Sequence, residues 1–132
     1  ALYERPASMF VAGFIGSPSM NFIVANSQDG LLTLENKATL TGSKAGSGAV
    51  IVGIRPEHLV QRVDGPLAVR IEVLEHLGAN TLVHGVLEGT KTPIVVSIDG
   101  LQTLATDEVI CFAPLEGQIH LFNPETEARL TV

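Results

Sequence analysis

Long apolar runs are missing from this 132-residue sequence: its hydrophobic residues, 45% of the total, are cut into short stretches by 13 glycines and 7 prolines. None approaches the roughly 20 consecutive apolar residues that a membrane-spanning helix needs, so the chain is expected to be soluble. The opening Ala-Leu-Tyr-Glu-Arg-Pro lacks a basic region followed by an apolar stretch and a small-residue cleavage site, and no secretory signal is read in it. Cysteine is nearly absent. The single thiol, Cys111, cannot close an internal disulfide; set among Val109, Ile110 and Phe112, it is expected to be buried and inert, in a reducing compartment. Positive charge is sparse too. Eight Lys and Arg are scattered singly against a formal net charge of -6, and aromatics make up 5%, which removes the basic groove and stacking platforms of a nucleic-acid binder.

What is present suits one domain that buries roughly two-thirds of its unfolded surface. Pro6 at a first-turn position, Phe10, Val11, Phe14 and Ile15 at helical spacing, and Gly16 and Pro18 as stops predict a short lead-in helix. Its apolar face needs a docking surface, because burial of each large side chain, about 1.5–3 kcal/mol, holds so short a helix more than propensity does. From Met20 the period becomes that of strands. Residues 21–26 and 31–35 flank Asp29-Gly30, a tight-turn pair that predicts a hairpin. A loop at 41–48 leads into an apolar strand over 49–55, which Pro56 ends, and Glu57, His58 and Leu59 form a helical turn or corner. Leu67 to Leu77 alternates until Leu74, where a slip predicts a bulge before the turn Gly78-Ala79-Asn80. Thr81 to Leu87 alternates again with Leu82, His84 and Val86 on one face, and further strands are expected at 94–98, 109–113, 118–122 and 129–132. So many short strands with frequent turns predict an all-β barrel or sandwich.

Sites for chemistry are few. A phosphate-cradling loop requires glycine, four residues, then glycine-lysine and serine or threonine, and Gly42-Ser43-Lys44-Ala45-Gly46-Ser47-Gly48 does not meet it. That segment reads as a flexible loop. His58, His76, His84 and His120 are too far apart for a local metal motif and are structural or surface residues, although His76 and His84 flank a turn and would make a pH-sensitive pair if they faced each other. Glu72, Glu75 and Glu88 fall on strands or their ends, where single charges face water and discourage edge pairing. Ser17 is a helix stop, with no His and Asp placed beside it to make a nucleophile. The strongest candidate is Arg55-Pro56-Glu57-His58, which gathers both charge signs and an imidazole directly after an apolar strand. Two roles stay open for it: a contact site for another domain, or a corner whose arginine bonds backbone carbonyls and whose proline sets the bend.

Four segments, LYERPASMFVAGFIGSPSMNF, VGIRPEHL, VLEHLGANTLVHG and IHLFNPETEARL, together resemble the ATPase subunits of ABC importers for maltose, glycerol 3-phosphate and related sugars. The resemblance implies the C-terminal regulatory domain of such a subunit, called the transport-associated OB (TOBE) domain: residues 1–18 as the tail helix of an absent nucleotide-binding domain, and residues 19–132 as an OB-like or MOP-like β-barrel of short antiparallel strands. It implies a homodimer on the inner face of the cell membrane, held there by permease subunits, with ATP and Mg bound by the parent and no cofactor in this fragment. A regulatory protein or solute is a further implied partner; nucleic acid is not. In that setting Phe10 and Phe14 would dock on the nucleotide-binding domain, and Arg55, Glu57 and His58 would make interdomain contacts that change as the domains move. The alternative is a free-standing barrel that binds a small oxyanion or solute, with backbone amides of the 42–48 loop as donors.

Overall fold

Alternation from Asn21 onward turns Ile23 and Ala25 inward and leaves Val24, Asn26 and Gln28 facing solvent, the period of a strand with one covered face. In the computed structural model, which describes residues 20–41, 48–100 and 104–125, the chain divides into two compact units, one comprising 1–54 and 119–132 and the other 55–118.

The first unit holds a five-stranded antiparallel sheet. Its strands are β1 (Asn21–Gln28), β2 (Leu31–Leu34), β3 (Thr39–Thr41), β4 (Gly48–Ile54) and β10 (His120–Phe122), in the order β10-β4-β1-β2-β3. Ile23, Leu32, Val52 and Ile54 are fully buried on its inner face. Asp29 (φ 54°) and Gly30 (φ 79°) both take the left-handed conformation, the turn whose twist matches the flanking strands β1 and β2. At the next turn Lys37 N–H donates to the Leu34 carbonyl (3.0 Å) and Leu34 N–H to the Ala38 carbonyl (2.8 Å), which holds Lys37 at φ 71°. A lysine pays a steric cost there that glycine avoids. Lys37→Gly is expected to raise stability by about 0.5–1 kcal/mol after allowing for the freer unfolded chain, read as a higher urea midpoint at unchanged slope. A lower midpoint would mean the turn stores no strain.

The second unit holds another five-stranded antiparallel sheet, made of β5 (Leu59–Gln61), β6 (Leu67–Leu77), β7 (Asn80–Leu87), β8 (Pro93–Asp99) and β9 (Val109–Pro114), in the order β5-β9-β6-β7-β8. Leu67, Val69, Ile71, Val83, Leu87, Ile94, Val96 and Phe112 are fully buried in it. Pairing of β6 with β7 shifts by one residue between Ile71 and Val73, so Glu72 is the extra residue of a bulge. Gly85 stands opposite Ile71 in this ladder, and a Cβ on it would collide with the Arg70 carbonyl oxygen.

The expected barrel is corrected by these sheets. Neither sheet closes: the first ends in β10 and β3, the second in β5 and β8. Closure needs staggered hydrogen bonding between edge strands, and three of these four edges are only three residues long. Among the described residues there is no α-helix, only a 3-10 turn at Pro56–His58. The helix expected within 1–18, with Phe10 and Phe14, lies outside the described residues, as do the strand expected at 129–132 and most of the 42–48 loop. The bulge falls at Glu72 and not at Leu74. Beyond it Thr81, Val83, Gly85 and Leu87 take the covered side, while His84 and Val86 stay half-exposed; Leu82, on their face, is nevertheless buried. His76 stands opposite Thr81 and His84 opposite Val73, so the two imidazoles do not face each other. Cys111 is half-buried, on the face of β9 opposite the fully buried Phe112.

Candidate functional site

Proline at position 56 sets the geometry of the Arg55–His58 corner. It occupies the first position of the 3-10 turn, where its missing N–H costs no hydrogen bond, and Arg55 before it is extended (φ -72°, ψ 147°), as a residue preceding proline must be. His58 N–H donates to the Arg55 carbonyl (2.9 Å), and the Leu59 N–H donates to the Pro56 carbonyl. The corner is tied to the end of β9 by Leu115 N–H, which donates to the His58 carbonyl (2.8 Å), and it packs against β8.

The candidate side chains part company at this turn. Arg55 is 1% exposed and the largest fully buried side chain described, whereas Glu57 is exposed and His58 half-buried. Burial this deep, with the planar donor fork of a guanidinium, suits a corner strut more than a mobile contact. His58 Nδ1 is buried and makes no hydrogen bond among the described residues.

Three further polar pairs lie on or beside the β6–β7 hairpin. Arg70 donates to Glu88 Oε1 (2.8 Å) and to the Asp107 carbonyl (3.2 Å), and the Glu88 carboxylate, by hydrogen bond first and charge second, raises the guanidinium above its ordinary range. His84 Nε2 lies 3.1 Å from Glu75 Oε1, and His76 Nδ1 lies 3.2 Å from Thr81 Oγ1, whose hydroxyl donates to the Gly100 carbonyl (2.8 Å). All the charged members are well exposed, so these pairs add little to stability. Sequence reasoning missed the Arg70–Glu88 pair, which is diagonal across the hairpin; counting back from the Gly78 turn finds it only once the bulge is known.

Among the described residues no group of three or more His, Cys, Asp or Glu gathers to hold a metal. The sequence contains no Walker loop. No helix among the described residues is long and apolar enough to cross a membrane.

Comparison with known families decides the lineage: residues 52–122, which carry the corner and the whole second sheet, match the model of the TOBE domain. This chain belongs to the TOBE domain family. Ahead of that match, residues 16–59 of the TOBE chain fit the model described as the MalK OB fold domain. The TOBE chain is 52% identical over 129 residues to the sn-glycerol-3-phosphate import ATP-binding protein UgpC of Ruegeria pomeroyi, with 98% of the chain and 37% of the relative covered. It is 37% identical to the UgpC of Paracoccus denitrificans, covering 98% of the chain and 37% of that relative. It is 32% identical to the diacetylchitobiose uptake system ATP-binding protein MsiK of Streptomyces coelicolor, covering 98% and 41%. The TOBE chain therefore spans little more than a third of the length of these relatives, and it is the OB/TOBE portion of a MalK-family ATP-binding protein, without the catalytic motifs. Among solved structures the cytoplasmic molybdate-binding protein ModG superposes with a TM-score of 0.61 at 14% identity, over 79% of the TOBE chain and 96% of ModG, a likeness of fold alone.

Proposed function

We propose that this chain is the C-terminal regulatory and dimerisation domain of the ATP-binding subunit of an ABC importer for sugars or glycerol 3-phosphate. The observation that carries the reading is the pair of adjoining family matches, OB then TOBE, reaching from residue 16 to residue 122, in a chain whose relatives are named import and uptake ATP-binding proteins. In the parent, ATP and Mg belong to a separate nucleotide-binding domain, two subunits associate, and permease subunits hold the complex at the cytoplasmic face of the membrane. The work of this portion is to bias the ATPase between two states, which takes only a difference in contacts between them.

The test is the parent subunit reconstituted with its permease in proteoliposomes, with and without residues 19–132. ATP hydrolysis is expected to persist in the shortened protein, while its modulation by regulatory partners falls by about fivefold or more, the size of an ordinary coupling free energy. Unchanged modulation after the deletion would remove the regulatory role. The competing reading, small-ligand binding, takes its donors from the 42–48 loop, of which 42–47 lie outside the described residues, and the ModG likeness carries no ligand across at 14% identity. Titrations of the chain with molybdate, sulfate, sugars and glycerol 3-phosphate in a calorimeter are expected to be flat.

A further inference from the structure

Strand β6 outruns its neighbour β9. The two pair over Leu67–Arg70, and Ile71 closes the ladder, its N–H donating to the Glu108 carbonyl (2.9 Å) and its carbonyl accepting from Asp107 N–H (2.8 Å). From Glu72 to Leu77, β6 keeps β7 on one side, while among the described residues no strand pairs on the other. Alternate residues of an antiparallel strand aim their N–H and C=O groups away from the partner, so this stretch, about 20 Å long, presents an open ladder. Val73 is 56% and Leu77 46% exposed, and Glu72, Glu75 and His76 are exposed beside them. Of the usual guards of an edge, residues 73–77 include neither lysine nor proline, and the bulge of this strand lies before them; the guards that remain are the carboxylates Glu72 and Glu75, which repel an acidic strand and admit a basic one.

Charge selects the occupant. Glu72 and Glu75 project from the open stretch, and exposed Asp107 and Glu108 stand where it begins. Arg70, at its start, is already engaged by Glu88 and the Asp107 carbonyl, and His84 Nε2 lies 3.1 Å from Glu75 Oε1. A second copy laid antiparallel along the edge would bring these carboxylates against their own counterparts, in a chain of net charge -6. We propose that the open edge of β6 takes an extended segment of a partner protein that carries Lys or Arg at alternate positions, added to the five-stranded sheet as a sixth strand. The inference uses residues 55–118 alone and stands whether or not the domain regulates an ATPase.

A labelled peptide of alternating lysine and valine, Lys-Val-Lys-Val-Lys-Val-Lys, is titrated into the chain and followed by fluorescence anisotropy, and amide shifts are mapped by NMR. Saturable binding is expected, with the largest shifts at residues 72–77. Affinity is expected to fall about tenfold or more when the lysines become glutamates, when alternate peptide nitrogens are methylated, or when the chain carries Glu72→Lys with Glu75→Lys. The thermal midpoint of that double variant checks that it folds. Absence of saturable binding overturns the proposal, as does equal affinity for the methylated peptide, which would mean attraction without a ladder. Self-association of the chain mapped to residues 72–77 overturns it in favour of a second copy.

Discussion

Gly85→Val is expected to lower the stability of the chain by about 3 kcal/mol, the upper range for forcing atoms into a packed interior. The reason is local and steric. A Cβ at this position meets the Arg70 carbonyl oxygen at overlapping distance, Val69 Cγ1 at 2.9 Å and the Arg70 carbonyl carbon at 3.0 Å. Two of those atoms are backbone and belong to the ladder that the bulge at Glu72 brings close, so relief requires β6 and β7 to separate. Alanine carries the same Cβ and should cost most of what valine costs, which distinguishes this site from one limited by side-chain volume. Urea denaturation of Gly85→Ala and Gly85→Val measures both; a midpoint for alanine equal to that of the parent chain would show that the strands yield freely.

Arg55→Ala is expected to cost about 3 kcal/mol, and Arg55→Lys to recover less than half of it. Removing a buried guanidinium strands the groups that bond it and leaves a cavity behind, two penalties that act together. Lysine restores the charge as a single point without the planar fork, so it cannot reproduce the hydrogen bonds of a fixed corner. At 1% exposure Arg55 has no water to fall back on. If Arg55→Ala unfolds at the same urea concentration as the parent chain, the corner does not depend on it. Loss of control in the full subunit alongside such a result would then assign Arg55 to interdomain contact.

Much of the strand pattern was legible because it is written locally. Asp29-Gly30 can hardly be anything but a tight turn between alternating flanks, and the span of β6 was read to the residue from the run Leu67 to Leu77. Pro56 likewise announced the corner, since proline both ends a strand and opens a turn. Other features depend on partners distant in the chain. The bulge at Glu72 exists because Gly85 permits close approach, and no alternation within β6 itself places it there. The strands β3 and β5, three residues each, are too short to show a period in the sequence. Barrel closure failed as an expectation because it is a property of edges, and the apolar pattern of a strand is the same whether its sheet closes or stays open. For the candidate site, composition located Arg55, Glu57 and His58 but not their directions: a contact surface and a structural corner both fit the sequence, and the turn buries Arg55 while exposing Glu57.

The pairing of β10 with β4 has a bearing on biosynthesis. His120–Phe122 lie against Ile51–Gly53, so the first sheet takes a strand from each end of the sequence, while residues 55–118 form an uninterrupted block. During translation the middle block is made before the stretch that completes the earlier sheet. Vectorial synthesis thus places the whole of the second sheet between the two parts of the first, whose β4 edge stays open to other nascent chains until His120–Phe122 arrive.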